Sequence, residues 1–572
     1  MCGIAGIVGP AADRHRIDAM LKTQQHRGPD FTGSVVIPHK IALGHNRLAI
    51  IDLSAEANQP MQDASGRYEI VFNGEIYNYN ELRKELEAGY RFRTRSDTEV
   101  LLAAYAAWGE AMLERLNGMF AFVIHDRRSG ELFGARDRFG VKPLYYTRQG
   151  GSFYFASELK AFEAAGVALS PDEKVWSEYL VFGSYGQPHE TFWRNIRQLP
   201  GGHSFHHRDG ILNISRWYDF VERVKAIETE GINEVMECYE SLLAESVDLR
   251  FRADVPVGFN LSGGLDSSTL LAMVNRTHPG DGKIRAYTFT TGDPRYDETP
   301  WVEKMLESTA YPLTKVLLHP EDIPTLAREL TEVQYEPYGG IPTLAYFNLF
   351  RQARRSGTLV LLDGQGMDEQ WAGYDYYTSG TGTLVQGVKS PPTRPEVLAP
   401  SFAEVAEKND YPQPFDSPLQ NLQYRDLFYT KIPRVLRFND RASMAASVEL
   451  REPFLDYRLV ELAFAQPREY KIREGQEKWM LRQIAQKYLH REIATAPKRP
   501  LQTPQREWLG DELAGFVEEQ IEKIAHSPMR GWFDMDTLQQ EWRRYREGER
   551  DNAFFVWQWV SVGLMAQKVE KI

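Results

Sequence analysis

The chain changes rhythm once, and that change limits the folds open to it. Up to about residue 210 it is built from short apolar runs of β character: Gly3-Ile4-Ala5-Gly6-Ile7-Val8, then 68–72, 120–124 and 152–155. Turn signals such as Asn73-Gly74, Ser129-Gly130 and Gln149-Gly150-Gly151 punctuate them, and helical spacing appears at 79–87 and 98–108. This reads as a sheet-rich α+β domain. After about residue 230 strands and helices alternate. Helical spacing over 235–249 leads to a strand at 255–261, a Gly-rich turn and a helix at 268–275. Further strands are expected at 285–290 and 358–362. Such alternation predicts an α/β domain with a parallel sheet. The polar stretch around 223–230 separates the two patterns, so domains are expected over 1–212 and 232–572. Beyond Tyr411 the pattern is mostly helical. Residues 376–417, rich in Gly, Thr, Ser and Pro, are expected to form a mobile loop.

A length of 572 residues calls for more than one domain and is enough for a sizeable core. The net charge of −12 argues against broad nucleic-acid binding, which needs a basic face, but leaves room for a local basic pocket. The two cysteines, Cys2 and Cys238, do not suggest a disulfide framework. Pro10, Asp13, Arg14 and His15 arrive too early for a secretory signal, and no apolar run is long enough to span a bilayer. A cytoplasmic enzyme without membrane partners is the expectation.

Cys2 follows Met1 directly, and removal of Met1 is favoured because the next residue is small. Cys2 would then carry a free α-amine beside its thiol. With a reference pKa near 7.7–8.0, that amine is partly neutral at pH 7 and can serve as general base for its own side chain. The alternative is a cysteine packing as a small hydrophobe in a strand.

The residues that follow favour the first reading. They run Gln25-His26-Arg27-Gly28-Pro29-Asp30, His45-Asn46-Arg47-Leu48-Ala49-Ile50-Ile51-Asp52, Phe72-Asn73-Gly74-Glu75-Ile76-Tyr77-Asn78 and Arg95-Ser96-Asp97-Thr98-Glu99. Arg136-Asp137-Arg138-Phe139-Gly140 and Lys142-Pro143-Leu144-Tyr145-Tyr146 continue the series. In this order they resemble the class II, N-terminal-nucleophile glutamine amidotransferases, which include the asparagine synthetases. The resemblance implies a four-layer αββα glutaminase fold with Cys2 as nucleophile. It implies a glutamine site of Arg47, Leu48, Ile51, Asn73, Glu75 and Asp97. Arg47 would fork onto the substrate carboxylate, and Glu75 and Asp97 would hold its ammonium. The Asn73 amide and the Gly74 N–H would receive the oxyanion. Taken singly, Asn73-Gly74 also reads as a hairpin turn, and Arg47 or Asp97 as surface charge.

In the second half, Leu261-Ser262-Gly263-Gly264-Leu265-Asp266-Ser267-Ser268 follows a strand and opens a helix. A Gly/Ser turn at a helix N-terminus makes an anion cradle of backbone N–H groups. The glycine spacing differs from Walker A, and no Lys precedes Ser267. The run resembles the loop of ATP pyrophosphatases, which release AMP and pyrophosphate, and Asp266 then suits Mg²⁺. The run 287–292, with Phe289, would lie near adenine. A second Gly-rich turn, Leu361-Leu362-Asp363-Gly364-Gln365-Gly366-Met367-Asp368-Glu369, stands at a strand end and offers Asp368 as a second Mg²⁺ candidate. Asp440-Arg441-Ala442-Ser443-Met444, Arg451-Glu452-Pro453-Phe454-Leu455-Asp456, Glu477 to Arg482 and Pro497-Lys498-Arg499 are similar to the asparagine synthetase domain. That similarity implies a catalytic Lys478 on a helix. It also implies an acceptor or pyrophosphate site using Gln365, Asp440, Arg441 and Arg482.

The resemblance implies a glutamine-dependent, ATP- and Mg²⁺-using ligase that amidates a carboxylate through an acyl-AMP, with aspartate the leading acceptor. A homodimer is compatible with it. One position departs: well-studied asparagine synthetases carry glutamate where this chain has Gln365, which cannot act as a base. Asp363, Glu369 and Glu336 are candidates to replace the missing carboxylate. A sugar acid or a cell-wall or natural-product carboxylate is the alternative acceptor. Ring closure of the β-lactam-synthetase type is a further alternative, although those relatives usually lose the nucleophile that Cys2 supplies here.

Overall fold

The computed structural model describes residues 1–572 apart from 229, 308, 380–390, 497–502 and 570–572. The first half forms two six-stranded sheets. In one, Gly3–Val8 lies antiparallel between Ile41–Arg47 and Ser152–Ala156. In the other, Gly118–Asp126 lies antiparallel between Tyr68–Ile76 and Leu132–Arg136. Side chains alternate between the faces of a strand. Ile4 and Leu43 therefore meet Val71 and Val123 between the sheets. Ala5 and Ile7 face outward onto the helices Arg14–Thr23 and Lys160–Ala164. Phe72 and Phe122 face helix Asp97–Trp108 on the other side. The result is the expected four-layer αββα stack.

Asn73-Gly74 is not a turn. Both residues lie inside Tyr68–Ile76, with Asn73 opposite Ala121 and Gly74 opposite Phe120. A Cβ on Gly74 would stand 2.2 Å from the Met119 carbonyl oxygen, so glycine is needed for the close approach of the strands.

The second half holds a five-stranded, all-parallel sheet ordered Leu313–Leu317, Arg285–Thr290, Val257–Asn260, Val360–Leu362, Glu449–Arg451. From Val257–Asn260 the chain adds strands to one side, then returns to add Val360–Leu362 and Glu449–Arg451 on the other. The crevice at the carboxyl ends of Val257–Asn260 and Val360–Leu362 is thus a topological switch point, where ligands bind in sheets of this kind. Both Gly-rich turns leave from those two strand ends.

The expected loop at 376–417 is irregular over much of its described length but carries short helical pieces. Tyr376 and Tyr377 are buried. A turn at Pro395–Val397 and a helix at Pro400–Ala403 follow. Phe402 stacks on Trp532 at 4.7 Å, and that burial holds the segment down. Residues 380–390 lie outside the described residues, as does Pro497-Lys498-Arg499. At the junction of the halves, helix Phe220–Lys225 places Phe220 4.9 Å from Phe464. No helix among the described residues is long and apolar enough to cross a membrane.

Two candidate active sites

Cys2 sits at the start of the first sheet, buried and not disulfide-bonded. Its backbone N–H donates to Asn73 Oδ1 at 3.0 Å. The Asn73 Nδ2 amide is buried without a partner, a donor available to an incoming oxyanion. Phe120, opposite Gly74, donates its N–H to Asp137 Oδ2, and its carbonyl accepts from the Asp137 N–H. The Gly74 N–H is therefore not committed to that neighbour. Burial pushes the Cys2 thiol up, while the terminal ammonium, a main-chain hydrogen bond from Leu48 and Arg47 pull it down.

Glu75 and Asp97 lie on the same side, both buried. Burial, then Glu449 and Asp97, raise the Glu75 carboxyl well above the carboxylate range. Burial also raises Asp97 to about 6, against a hydrogen bond from the Ile76 N–H. Below about pH 6 Asp97 is therefore protonated and has no charge for an ammonium. Through Glu75, also raised, and Asp97, the KM for glutamine is expected to rise as pH falls, the Asp97 limb by up to about tenfold per pH unit below 6. Asp97→Asn should remove that limb of a KM–pH profile; a profile unchanged in the variant would separate Asp97 from glutamine.

Arg47 is placed beside Cys2 but does not present an open fork. One terminal nitrogen donates to Ser54 O at 2.7 Å and Asn58 Oδ1 at 2.9 Å. The other donates to the Asp52 and Ile51 carbonyls. The guanidinium braces the 51–58 loop, because that loop turns its carbonyls inward.

Residues of the second half reach this site. The Met1 ammonium is ion-paired to Glu449 Oε2 at 2.7 Å. Arg451 Nε donates to Glu449 Oε1 at 2.6 Å, and its terminal nitrogen stands 3.7 Å from Glu75. Arg27 donates to the Cys2 carbonyl at 3.0 Å, to Glu158 at 3.0 Å and to Asp440 at 2.9 Å. Asp440 and Arg441 are thus not in the nucleotide crevice, contrary to expectation. Asp440 pairs with Arg27 and Lys142, and Arg441 with Glu336 at 2.8 Å. Glu336 also accepts from the Phe192 N–H at 3.0 Å, so it does not stand beside Gln365. These charges close on one another across the junction, a long-range pairing that no local spacing signals.

The second site occupies the switch-point crevice, a cavity of about 300 Å³ lined by Ser262, Gly264, Leu265, Asp266, Ser267, Asp363, Gly364, Gln365, Asp368, Lys478 and Arg482. No side chain caps helix Leu265–Thr277 at Gly264, which leaves its first-turn amides for an anion. Ser267 Oγ donates to the Ser262 carbonyl at 2.8 Å and fixes the turn. Next to it lies a small space bounded by Leu261, Tyr287, Phe289 and Tyr346. Gly263 lies against Glu298 and Trp301.

Lys478 is not within a helix but precedes Trp479–Ala485 with φ +54°, a conformation rare for a side chain-bearing residue. Its Nζ lies 2.6 Å from Asp266 and 2.6 Å from Asp368. A Cβ on Gly373 would stand 2.1 Å from both Asp368 Oδ1 and Lys478 Cε, so glycine there permits the contact. Arg482 donates to the carbonyls of Glu477, Ala494 and Ala496, tying the crevice wall together. Glu369 receives the Tyr374 hydroxyl at 2.7 Å, and burial beside Asp368 raises it to about 7. Gln365 Nε2 donates to Asp363 Oδ2 at 3.4 Å. Glu452, within the run Arg451-Glu452-Pro453-Phe454, also lies at this end of the sheet. Its signal was a glutamate set between Arg451 and Pro453 immediately after a buried strand.

A buried cysteine facing an open amide donor, joined to a nucleotide-type crevice, defines a carbon–nitrogen ligase fed by a glutamine amidotransferase domain. The chain belongs to the asparagine synthase family, which matches residues 239–569, while the glutamine amidotransferase domain family matches residues 1–218. Asparagine synthetase [glutamine-hydrolyzing] 3 of Bacillus subtilis is 32% identical over 87% of this chain and 86% of its own. Asparagine synthetase [glutamine-hydrolyzing] 1 of the same organism is 29% identical over 97% and 95%. A Penicillium rubens protein named amidase chyE is 28% identical over 91% and 92%.

Proposed function

We propose that the chain converts aspartate to asparagine with glutamine as nitrogen donor and ATP as energy source, releasing glutamate, AMP and pyrophosphate. The observation that carries this reading is the placement of Lys478 between Asp266 and Asp368 at the uncapped helix terminus. A cation at that point suits the charge that develops on an α-phosphate during adenylation. A carboxylate has no good leaving group, so adenylation must precede attack by nitrogen. In the first site, Cys2 attacks the glutamine amide, its own amine takes the thiol proton once Met1 is gone, and Asn73 and Gly74 receive the oxyanion. Glu75 and Asp97 hold the ammonium.

The donor set fits Mg²⁺ in part. Asp266 and Asp368 supply two carboxylates, and substrate phosphates would supply further oxygens, the usual arrangement for this ion. When bound, it would neutralise phosphate charge. No cluster of three or more metal-ligating side chains occurs among the described residues.

A second reading, amidation of a different carboxylic acid, is favoured by Gln365, a neutral residue lining the crevice. The relative named an amidase is consistent with such variety. Measuring asparagine from aspartate, ATP and glutamine decides between them. Asparagine with equimolar AMP supports the first; no asparagine, with turnover of another acid, replaces it by the second.

A further inference from the structure

The amidation reading above leaves one step without a residue. Ammonia that attacks an acyl-adenylate must lose a proton, and Gln365 cannot take it. We propose that Glu452 is the base that receives this proton, standing in for the carboxylate that Gln365 lacks.

Glu452 continues directly from strand Glu449–Arg451, so it emerges at the carboxyl end of the sheet beside the Asp363–Gln365 turn. The Asp363 N–H donates to the Arg451 carbonyl at 2.9 Å, which locks that turn to the Glu452 backbone. The Gln365 main-chain N–H hydrogen-bonds the Glu452 carboxylate. Glu452 Oε2 is buried and has no partner. A buried carboxylate oxygen without a donor is costly unless something else comes to occupy it.

The occupant is indicated by the void beside it. Glu452 lines a cavity of about 10 Å³, room for one molecule the size of water or ammonia. Its other walls include Tyr77, Asn117, Met119 and Phe139 from the first half, and Arg250 and Leu455 from the second. Met119 is the partner of Glu75 across the first site's sheet. The carboxylate therefore faces both a small-molecule space next to the glutamine site and the turn that carries Gln365. Burial and the neighbouring Asp363 hold Glu452 well above the usual carboxylate range, opposed by Lys142 and Arg250. Lys142 and Arg250 favour the carboxylate form that can accept a proton, and burial strengthens its hold once the proton arrives.

The step balances. The nitrogen lone pair forms the bond to the acyl carbon. The bond from that carbon to the AMP oxygen breaks, with its electron pair staying on the phosphate. One N–H proton passes to the Glu452 carboxylate, leaving the amide and AMP.

The test uses the full chain carrying Glu452→Gln, with aspartate, ATP and either glutamine or ammonium chloride. Amide formation is expected to fall about 100-fold with both nitrogen sources. Aspartate-dependent ATP–pyrophosphate exchange and glutamine hydrolysis are expected to stay within about twofold, which also shows that the variant is folded. Adding Gln365→Glu to Glu452→Gln should return at least about a tenth of the lost rate, because a carboxylate is restored beside the same turn. Undiminished amide formation in Glu452→Gln overturns the proposal. So does loss of pyrophosphate exchange in parallel with amide, which would make Glu452 part of nucleotide or acceptor binding. If the wild-type chain makes no asparagine, the aspartate reading falls, and the same comparison is made with the acid that drives exchange.

Discussion

Cys2→Ala is expected to lower glutamine hydrolysis and glutamine-dependent amide formation by roughly 10⁴-fold or more, the scale on which a lone nucleophile matters. Ammonium chloride should still support amide formation at near the wild-type rate. The two activities separate because Cys2 and the crevice of Lys478 lie on different sheets. Thiol loss leaves a small hydrophobe at a buried position just before strand Gly3–Val8, so unfolding is not the expected route to inactivity. Parallel assays of glutamate and amide, with each nitrogen source, check this. Equal loss with ammonium chloride in a folded variant would place Cys2 in the synthetase chemistry.

Lys478→Met is expected to act on the other half. Acceptor-dependent pyrophosphate release should fall about 10²–10³-fold, the usual range for losing one preorganised electrostatic group. Glutamine hydrolysis should persist. The variant also leaves Asp266 and Asp368 facing each other without their shared cation. Both carboxylates are about a fifth exposed, so the stability cost should be about 1–3 kcal/mol, below that of a fully buried orphan charge. Lys478→Arg should not restore the rate, because the contact with Gly373 leaves no space for a broader head group. Pyrophosphate release and thermal unfolding report the two effects separately. Normal release would remove Lys478 from the chemistry.

The two sheet systems were legible because strand periodicity and turn residues are local signals. Gly3–Val8 and Arg285–Thr290 coincide with apolar runs read from the chain. The nucleotide turn was legible for the same reason, since its strand, Gly/Ser run and helix are consecutive. Asn73-Gly74 misled because the pair is a strong hairpin signal, whereas its real constraint comes from Met119, across the sheet. Asp440 and Arg441 are assigned to the crevice only by their resemblance to the asparagine synthetase domain, not by any local signal. Their partners, Arg27 and Glu336, are remote in sequence and belong to the junction. Arg47 is expected from the sequence to fork onto the glutamine carboxylate, but the carbonyls that claim its nitrogens depend on the fold of 51–58. Glu452 acquired meaning only once Asp363, Gln365 and the small void stood next to it.

The burial of Met1 sets an order of events during the life of the chain. Met1 is 1% exposed, and its ammonium is closed off by Glu449, a residue the ribosome adds some 448 positions later. Trimming of Met1 is therefore easiest while the chain is still growing, before strand Glu449–Arg451 of the five-stranded sheet docks. Maturation of Cys2 becomes a race between trimming and docking, and a chain that docks first is sealed with its methionine in place. Preparations from cells overproducing the protein would then hold two populations, distinguishable by intact mass, and their ratio would follow the speed of translation and the supply of the peptidase.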